Sequence, residues 1–326
     1  MKDLRIGLVG AGGASAMHYQ VLSQEPAVRV VGVTDVDAAR AGARSRAWGI
    51  EPYPDLASLL PHVDAVFVCT PPGHHRGPTV QAAEAGVHVY CEKPMALTLE
   101  DADAMIDACQ KAGVLLQIGT NFHFLPGYRR LWQLFADGEL GDLAACWIRM
   151  MNMFPTSGWD DRRQQGHWRM RPEDSGGRLF EQIHLVNWLH WVGGPVESVY
   201  GRALSVAKDL PVDDLDLAVF HFRRGYGLAE LGLTPTAINE GSAGILGTEG
   251  GAVLRGDRLL LRRRDAAHEA EVPLVAVPSR QRHFLDCVRD GRTPETDGVD
   301  GRMSLAACLA FMRSAKEDRV VRIEEL

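Results

Sequence analysis

The chain has 326 residues, enough for two domains, and its 46% hydrophobic and 24% charged residues are ordinary for a globular protein. The net charge of −7 argues against nucleic acid as a partner. No run of roughly 18 uninterrupted apolar residues occurs, so the sequence predicts no membrane span.

The six cysteines form no CxxC pair, and no histidine cluster has the spacing of a metal site. Free thiols in a reducing compartment are the simplest interpretation. The apolar stretch near the N-terminus is too short and too rich in glycine for a signal peptide. We therefore expect a cytoplasmic protein without a metal site.

The first 120 residues alternate compact apolar runs with helical patterns. The predicted strands are Leu4–Val9, Val28–Thr34, Asp64–Thr70, Val87–Cys91 and Val114–Ile118. The predicted helices are Ala14–Ser23, Asp37–Trp48, Pro78–Ala85 and Leu99–Ala112. Such alternation of strand and helix predicts a parallel sheet that is covered on both faces.

The pattern changes after Gly119. The predicted strands there are Leu143–Phe154, Val196–Ala207, Leu215–Phe222, Gly227–Leu233, Glu240–Leu246, Ala252–Arg262 and Arg319–Ile323. The predicted helices are Tyr128–Phe135, Leu179–Val192, Gln281–Arg289 and Gly301–Lys316. Consecutive strands with short turns indicate a mostly antiparallel sheet. We therefore predict one domain over 1–121 and a second over 122–326, with the last helix able to pack back on the first.

A glycine-rich turn lies between the first strand and the first helix, which is the setting of a dinucleotide-binding fingerprint. Gly10 permits the tight turn, and Gly12 lets the backbone approach a pyrophosphate. Gly13 and Ala14 then open a helix whose N-terminal amides favour an anion. Ser15 replaces the third glycine and is small enough for close packing of the helix on the strand.

Asp35 ends the second strand, 20 residues after Ser15. A carboxylate there can accept hydrogen bonds from a ribose 2′-hydroxyl and would repel a 2′-phosphate, so we expect NAD rather than NADP. The alternative is that Asp35 caps the following helix, a role for which Asp37 competes.

Lys93 belongs to the sequence Cys91-Glu92-Lys93-Pro94, which follows a predicted strand. The proline disfavours a helical conformation at Lys93, so the lysine is held extended at the carboxyl end of the strand, where α/β sheets bind ligands. A fixed cation beside a dinucleotide suggests redox chemistry on a polar substrate. The alternative is a structural salt bridge, although neighbouring strand residues point to opposite faces and Glu92 is then not its partner.

These motifs together resemble the glucose–fructose oxidoreductase, inositol dehydrogenase and MocA family (Gfo/Idh/MocA) over nearly the whole chain. The matching residues are Gly10-x-Gly12-x-x-Ser15-x-x-His18, Asp35, Thr70-Pro71-x-x-x-His75, Ala85-Gly86-x-His88-Val89-x-Cys91-Glu92-Lys93-Pro94, Trp168-Arg169-x-x-Pro172-x-x-Ser175-Gly176-Gly177 and His184. The resemblance implies an N-terminal Rossmann domain, a doubly wound parallel sheet. It also implies a C-terminal α/β domain with a large, mostly antiparallel open sheet. That sheet commonly forms the subunit interface, which implies a homodimer or homotetramer.

The resemblance also implies where the nicotinamide cofactor binds. Besides the glycine turn and Asp35, Thr70 and Pro71 with Glu92 and Lys93 are expected to line its site. His75 either lines the same pocket or caps the helix that follows it.

Proton transfer is expected at His184, because histidine titrates near neutral pH and the family has a histidine at this place. The family often has an aspartate four residues earlier, where this chain has Phe180. Glu181 lies three residues before His184 and would share its face on a continuous helix, so it is the candidate replacement. Lys93 can stabilise a developing alkoxide.

Four polar or aromatic residues are candidates for substrate binding. Asn121 and His123 follow the last strand of the first domain and can hydrogen-bond hydroxyls, although much of the family has arginine in place of His123. Trp168 can stack on a sugar ring, and Arg169 can bind a carboxylate or phosphate.

The leading hypothesis is an NAD-dependent dehydrogenase or reductase of a sugar, polyol, cyclitol or related hydroxy compound. A second enzyme class keeps NAD bound and uses transient oxidation to cleave a sugar or eliminate a group from it. A third reading is a non-catalytic protein that senses the cofactor ratio, which the presence of both Lys93 and His184 argues against.

Overall fold

The computed structural model describes residues 3–151, 171, 178–206, 213–232 and 240–326. The chain divides into a first unit, Met1–Thr120 with Pro278–Arg302, and a second unit, Asn121–Val277 with Met303–Leu326. The sequence prediction placed residues 278–302 in the second domain, whereas here they group with the first unit. No helix among the described residues is long and apolar enough to cross a membrane.

The first unit contains a sheet of six strands that are all parallel. Its strands are β1 (Leu4–Val9), β2 (Val28–Thr34), β3 (Glu51–Pro52), β4 (Ala65–Val68), β5 (His88–Cys91) and β6 (Leu116–Ile118). Their order is β3-β2-β1-β4-β5-β6, which is the doubly wound order of a Rossmann fold. The predicted parallel sheet is confirmed, with the short strand β3 added at its edge.

The predicted helices of the first unit are confirmed to within about two residues at each end, and the short helix Leu56–Leu59 was not predicted. They are α1 (Gly13–Leu22), α2 (Ala38–Trp48), α3 (Leu56–Leu59), α4 (Arg76–Glu84), α5 (Leu99–Ala112) and α9 (Arg280–Asp290). Asp37 caps α2 by accepting hydrogen bonds from the amides of Ala39 and Arg40. Gly113 ends α5 in the left-handed conformation that glycine adopts without steric cost.

Helix α9 belongs to the first unit because its apolar side chains complete the core of the parallel sheet. Phe284 lies edge-on to Phe67 at 5.6 Å and to Tyr90 at 5.7 Å between ring centroids. All three rings are fully buried. Burial of aromatic side chains of this size contributes strongly to stability, so the late segment is an integral part of this core.

The second unit contains a nine-stranded sheet in which every pair is antiparallel except β7 with β10. Its strands are β7 (Leu143–Met151), β8 (Val196–Leu204), β9 (Leu215–Phe222), β10 (Tyr226–Gly232), β11 (Glu240–Gly247), β12 (Gly250–Arg255), β13 (Arg258–Arg263), β14 (Ala270–Val272) and β15 (Val321–Arg322). Their order is β14-β13-β12-β11-β7-β10-β9-β8-β15. The mostly antiparallel sheet is confirmed. The single strand predicted over Ala252–Arg262 was wrong, because Gly256, at φ +58°, turns the chain into a hairpin.

The second unit's helices include α6 (Pro126–Ala136), α7 (Arg178–Glu181) and α8 (His184–Gly193). The final helix α10 spans Gly298–Glu317, and the division between the units falls inside it. One continuous helix over Leu179–Val192 was predicted, whereas the structure has two helices separated by a turn. Across that turn Ile183 donates to the carbonyl of Phe180 and Leu185 to that of Gln182, so the chain is wound more tightly than an α-helix.

Candidate functional site

The glycine turn after β1 has the geometry of a phosphate-binding loop. Gly10 has φ +92°, and a Cβ there would lie 3.0 Å from the carbonyl oxygen of Cys69. At Gly12 and Gly13 a Cβ would meet nothing within 4 Å, so that side of the turn is open. Ser15 is fully buried and donates to the carbonyl of Gly10, which locks the turn from within.

Helix α1 begins at this turn without a side-chain cap. Gly12 occupies the N-cap position, and no side chain accepts a hydrogen bond from the first amides. Those amides and the helix dipole favour an anion. The turn and helix together therefore fit the diphosphate of a dinucleotide.

Asp35, directly after β2, contacts the backbone of the glycine turn. Its Oδ2 accepts the N–H of Ala11 at 2.7 Å, and its Oδ1 accepts the N–H of Asp37 at 2.8 Å. The side chain is 6% exposed and lies 3.8 Å from the guanidinium of Arg40. Asp35 does not cap α2, since Asp37 does so. The alternative of an Asp35 cap was therefore wrong.

His75 connects two loops that follow neighbouring strands. Its Nε2 lies 2.7 Å from the carbonyl oxygen of Thr70, and its Nδ1 lies 3.0 Å and 3.2 Å from those of Pro94 and Met95. The ring is fully buried and makes no cap hydrogen bond to α4, so the capping alternative was wrong. Burial lowers the pKa of His75, while the three carbonyl oxygens favour the protonated ring.

Lys93 lies two residues beyond the end of β5, at the same edge of the sheet as Gly10 and Asp35. This follows because β1, β2 and β5 are members of one parallel sheet, and Gly10, Asp35 and Lys93 each come just after a strand ends. The lysine is half-buried, and its N–H donates to Oε2 of Glu92 at 3.2 Å. Its bond to Pro94 is cis.

Glu92 points into the first unit, where it meets two cationic or hydrogen-bonding partners. Its Oε1 lies 2.8 Å from Nε2 of His18 and 3.4 Å from Nη2 of Arg280. The side chain is 9% exposed. Burial alone would raise the pKa of Glu92. The charge of Arg280 and the hydrogen bond from His18 outweigh burial and hold that pKa well below its usual range.

Sequence reasoning missed Arg280 and Gln281. Gln281 donates from Nε2 to Nδ1 of His18 at 3.0 Å. Both residues begin helix α9, almost 190 positions after Glu92 in the chain. The helix itself was predicted from Gln281 onwards, but no local pattern indicates which strand ends it would reach.

His184 is the first residue of α8 and is buried in the second unit. The main-chain N–H of Asn121 donates to its Nδ1 at 3.2 Å, and the ring of Phe122 lies 5.7 Å away. This contact makes Nδ1 an acceptor, so a neutral ring that keeps it carries its proton on Nε2. The Oδ1 atom of Asn121 is buried and accepts no hydrogen bond from the described residues.

The candidate partner Glu181 ends α7 and is half-buried. Its proposed position rested on one continuous helix, which the turn before His184 interrupts. The proton relay between Glu181 and His184 stays a prediction.

His123 packs inside an aromatic stack of the second unit. Its ring lies 3.7 Å from that of Trp191, which in turn stacks on Trp132 at 4.4 Å. Arg129 lies 5.0 Å from the centroid of Trp191 and donates to the carbonyl of His123 at 2.9 Å. His123 is 1% exposed, so its position in this unit is that of a packed ring. Its contact with substrate stays a prediction.

The other predicted substrate residues, Trp168 and Arg169, lie outside the described residues, as does the turn Ser175-Gly176-Gly177. In the described part of the chain, no group of three or more histidine, cysteine or acidic side chains could hold a metal ion.

Two family models match the chain in consecutive segments. Residues 4–120 match an oxidoreductase family with an NAD-binding Rossmann fold. Residues 128–253 match the GFO/IDH/MocA C-terminal domain. Together they cover well over half of the sequence.

Individual relatives agree with these models. The chain is 29% identical to a D-apiose dehydrogenase from Paraburkholderia graminis over all of this chain and 91% of that protein. It is 32% identical to a 2,7-anhydro-N-acetylneuraminate hydratase from Mediterraneibacter gnavus, over 61% of this chain and 52% of that protein. Among solved structures, the WlbA dehydrogenase from Bordetella pertussis in complex with NADH and UDP-GlcNAcA has a TM-score of 0.85 and 28% identity. That match covers 98% of this chain and 99% of WlbA. The glycine turn, the six-stranded parallel sheet and both matched models lead to one conclusion: the chain belongs to the GFO/IDH/MocA family of NAD-binding oxidoreductases.

Proposed function

We propose that the protein transfers a hydride between NAD and a hydroxyl-bearing carbon of a sugar, polyol, cyclitol or related compound. The observation that carries the proposal is the convergence of Gly10, Asp35 and Lys93 on one edge of the parallel sheet. The first two suit a dinucleotide, and the third supplies a fixed cation at the edge where open α/β sheets bind ligands.

The choice of NAD over NADP is supported by the contacts of Asp35. Two amides hold its carboxylate in place, so it cannot easily turn away from a 2′-phosphate. Its negative charge would repel that phosphate, whereas a ribose 2′-hydroxyl can donate to it. Arg40 lies 3.8 Å away and offsets part of this charge, but it is more than half exposed and weakly constrained.

The proposed chemistry needs a hydride acceptor, a proton acceptor and a cation near the oxygen. Nicotinamide, when bound, accepts the hydride in alcohol oxidation. We assign the hydroxyl proton to His184 and the stabilisation of the developing alkoxide to Lys93. With Nδ1 accepting the hydrogen bond from Asn121, the neutral ring of His184 already carries a proton on Nε2. To accept the substrate proton there, the ring must first move its proton to Nδ1, which breaks that hydrogen bond, or pass it to another group.

A retained-cofactor mechanism is the second candidate. The similarity to a hydratase supports it, because a hydratase adds or removes water without net oxidation. Both candidates need the same cofactor and the same cation. They differ in whether NADH accumulates as substrate is consumed.

The test is a spectrophotometric panel of cyclitols, aldoses, sugar acids and amino sugars at neutral and mildly alkaline pH, with NAD and NADP in parallel. NADH formation that Lys93→Ala abolishes would support net oxidation. Consumption of a substrate without NADH would move the proposal to the retained-cofactor reaction. Cofactor binding with no turnover of any compound would favour a sensing protein.

The nine-stranded sheet suggests that the protein acts as a homo-oligomer. One face of the sheet is covered by α6 and α8. The other face carries a row of paired positions across adjacent strands: Tyr200, Val219, Leu228, Trp147, Gly244, Val253 and Leu260. Leu217, Tyr226 and Leu246 flank this row and are 44–48% exposed.

We propose that a second copy of the chain covers this open face, giving a dimer or a tetramer. Apolar residues dominate its centre, and the ion pair of Arg149 with Glu230, at 2.7 Å, lies beside it. A two-fold interface lets the same patch serve both partners. The cytoplasmic location stays a prediction.

A further inference from the structure

We propose that Arg280 is a positioning residue, which fixes the Lys93 turn by holding the carboxylate of Glu92. The inference rests on the proposed function, in which Lys93 acts on the substrate oxygen. It adds to that function a residue from α9, a helix that begins nearly 190 positions after Lys93 in the chain.

Arg280 joins the ends of two neighbouring strands. Its Nη1 donates to the carbonyl of Gly119, just after β6, at 2.6 Å. Its Nη2 lies 3.4 Å from Oε1 of Glu92, just after β5. The side chain is 12% exposed, so the guanidinium acts in a largely water-free setting, where its charge is weakly screened.

Glu92 carries the effect of Arg280 to Lys93. Its Oε2 accepts the main-chain N–H of Lys93 at 3.2 Å, and Oε1 faces Arg280 and His18. A carboxylate with partners on both oxygens has little freedom to rotate. It therefore fixes the direction in which the backbone leaves the strand at Lys93.

His18 and Gln281 complete this arrangement from the other side. The amide Nε2 of Gln281 can only donate, so Nδ1 of His18 accepts and Nε2 carries the ring proton toward Glu92. Burial lowers the pKa of His18, which keeps the ring neutral. Glu92 thus pairs with the cation of Arg280 and with His18 as a neutral donor, and the charge of Lys93 also lowers its pKa.

Without Arg280, the buried carboxylate of Glu92 would lose the positive charge that offsets much of the cost of its burial. Such a group either takes up a proton or turns toward water. Both outcomes change the acceptor that holds the Lys93 amide. Arg280→Gln should therefore move Lys93 through the carboxylate of Glu92.

The chain offers a direct probe of Lys93, because it contains only five lysines: Lys2, Lys93, Lys111, Lys208 and Lys316. Reductive ¹³C-methylation of the full-length protein gives few dimethyl-lysine resonances in a ¹H–¹³C spectrum. Lys93→Arg identifies the resonance of Lys93. This measurement needs no substrate, so it is independent of whether the proposed reaction is correct.

We expect Arg280→Gln and Glu92→Gln each to shift the Lys93 resonance and leave that of Lys111 in place. The double variant should shift it no further than the larger single change, because both act through one contact. Arg282→Gln is the matched control. It lies on the same helix, but Arg282 pairs with Glu25 and Asp286 instead. Its Lys93 resonance should match the wild type.

Turnover of whichever compound is active in the panel supplies the functional readout. Arg280→Gln should lower kcat by about 10- to 100-fold, the usual effect of a small misplacement of a catalytic group, while NADH affinity changes little. Arg280→Lys should recover only part of this loss, because an ammonium group cannot span Gly119 and Glu92 as a guanidinium does.

An unshifted Lys93 resonance in folded Arg280→Gln would overturn the inference, as would additive shifts in the double variant. If Arg280→Gln does not fold, Arg280→Lys and Glu92→Gln decide the same question, since each keeps a polar group in the buried cluster. Full turnover in Lys93→Ala would instead refute the proposed function. Loss of turnover in Lys93→Ala with full activity in Arg280→Gln would refute the positioning role alone.

Discussion

The carboxylate of Asp35 accepts the main-chain N–H of Ala11 at 2.7 Å. A side chain placed directly after β2 thereby holds the turn after β1. A residue in this place affects the cofactor in two ways. It shapes the loop that meets the diphosphate, and its charge meets whatever group the ribose carries at its 2′ position.

Asp35→Asn keeps a hydrogen-bond acceptor for Ala11 and removes the charge. We expect the ratio of kcat/KM for NAD to that for NADP to fall by about 10-fold or more, because repulsion of a 2′-phosphate is lost. Initial rates with both cofactors measure this ratio. Asp37→Asn is the matched control, because it also removes a charge near the turn but acts through the cap of α2. An equal change in both variants would show that general charge, and not Asp35, sets the preference.

Gly10, Asp35 and Lys93 show which parts of the site a sequence can predict. Gly10, Asp35 and Lys93 were found because each follows a strand directly, and parallel strands bring their carboxyl ends to one edge. The partners of Glu92 were not found, because Arg280 reaches it through tertiary packing of α9. A local pattern predicts the helix but contains no information on what the helix packs against.

The segment before His184 shows a second limit of sequence reasoning. Its apolar pattern was correct for a helix, but the tight turn between Glu181 and His184 comes from hydrogen bonds that span three residues instead of four. Helical periodicities of 3.0 and 3.6 residues are indistinguishable over so few positions. The predicted relay of Glu181 with His184 stays a prediction, because a 3₁₀ turn also brings residues i and i+3 to one face.

Lys93→Ala should lower kcat by about 10²- to 10³-fold, which is the effect of removing one preorganised group that stabilises a developing oxyanion. NADH affinity, measured by fluorescence, should change far less, because Lys93 is assigned to the substrate oxygen. Lys111→Ala is the control, since Lys111 is exposed in the last turn of α5. A loss confined to NADH binding would reassign Lys93 to the cofactor.

His184→Asn should lower kcat by about 10²- to 10⁴-fold through loss of proton transfer, with the protein still folded. His190→Asn is a control on the same helix. His190 lies 2.9 Å from Oγ of Ser304 in a buried cluster, so its loss should cost about 1–3 kcal/mol of stability and leave kcat near the wild-type value. Similar kcat losses in both variants would mean that the loss at His184 reflects disturbed packing of α8 and not a role in proton transfer.

The buried neutral ring of His18 should make the protein less stable in mild acid. Burial lowers the pKa of His18 below its ordinary value of 6.5. Above that pH neither state binds the proton, and the full stability is present. As pH falls through 6.5, the unfolded chain takes up a proton that the folded ring refuses, so the free energy of unfolding falls by up to ~1.4 kcal/mol per pH unit.

Chemical denaturation between pH 7.5 and pH 5.5, roughly one unit either side of that value, measures this slope. His18→Asn should reduce it, and His74→Asn should not, because His74 is exposed. Buried His75 and half-buried His88 also have lowered pKa, so part of the slope should survive in His18→Asn. An unchanged slope in His18→Asn would mean that its ring is protonated in the folded protein.

The open face of the nine-stranded sheet gives the last prediction. Leu217 is 44% exposed there and lies opposite Glu230 on the neighbouring strand. In Leu217→Arg the new side chain can pair with Glu230 in a single subunit, so the fold should persist. Burying that charge between two subunits would be costly, so the oligomer should dissociate.

Light scattering should then give a multiple of 35.7 kDa for the wild type and a single subunit mass for Leu217→Arg. Met312→Arg, at a position on α10 that is 41% exposed, should leave the mass unchanged. A wild-type protein that is monomeric at micromolar concentration would contradict the proposed interface. A Leu217→Arg protein that stays assembled would place the interface on another surface.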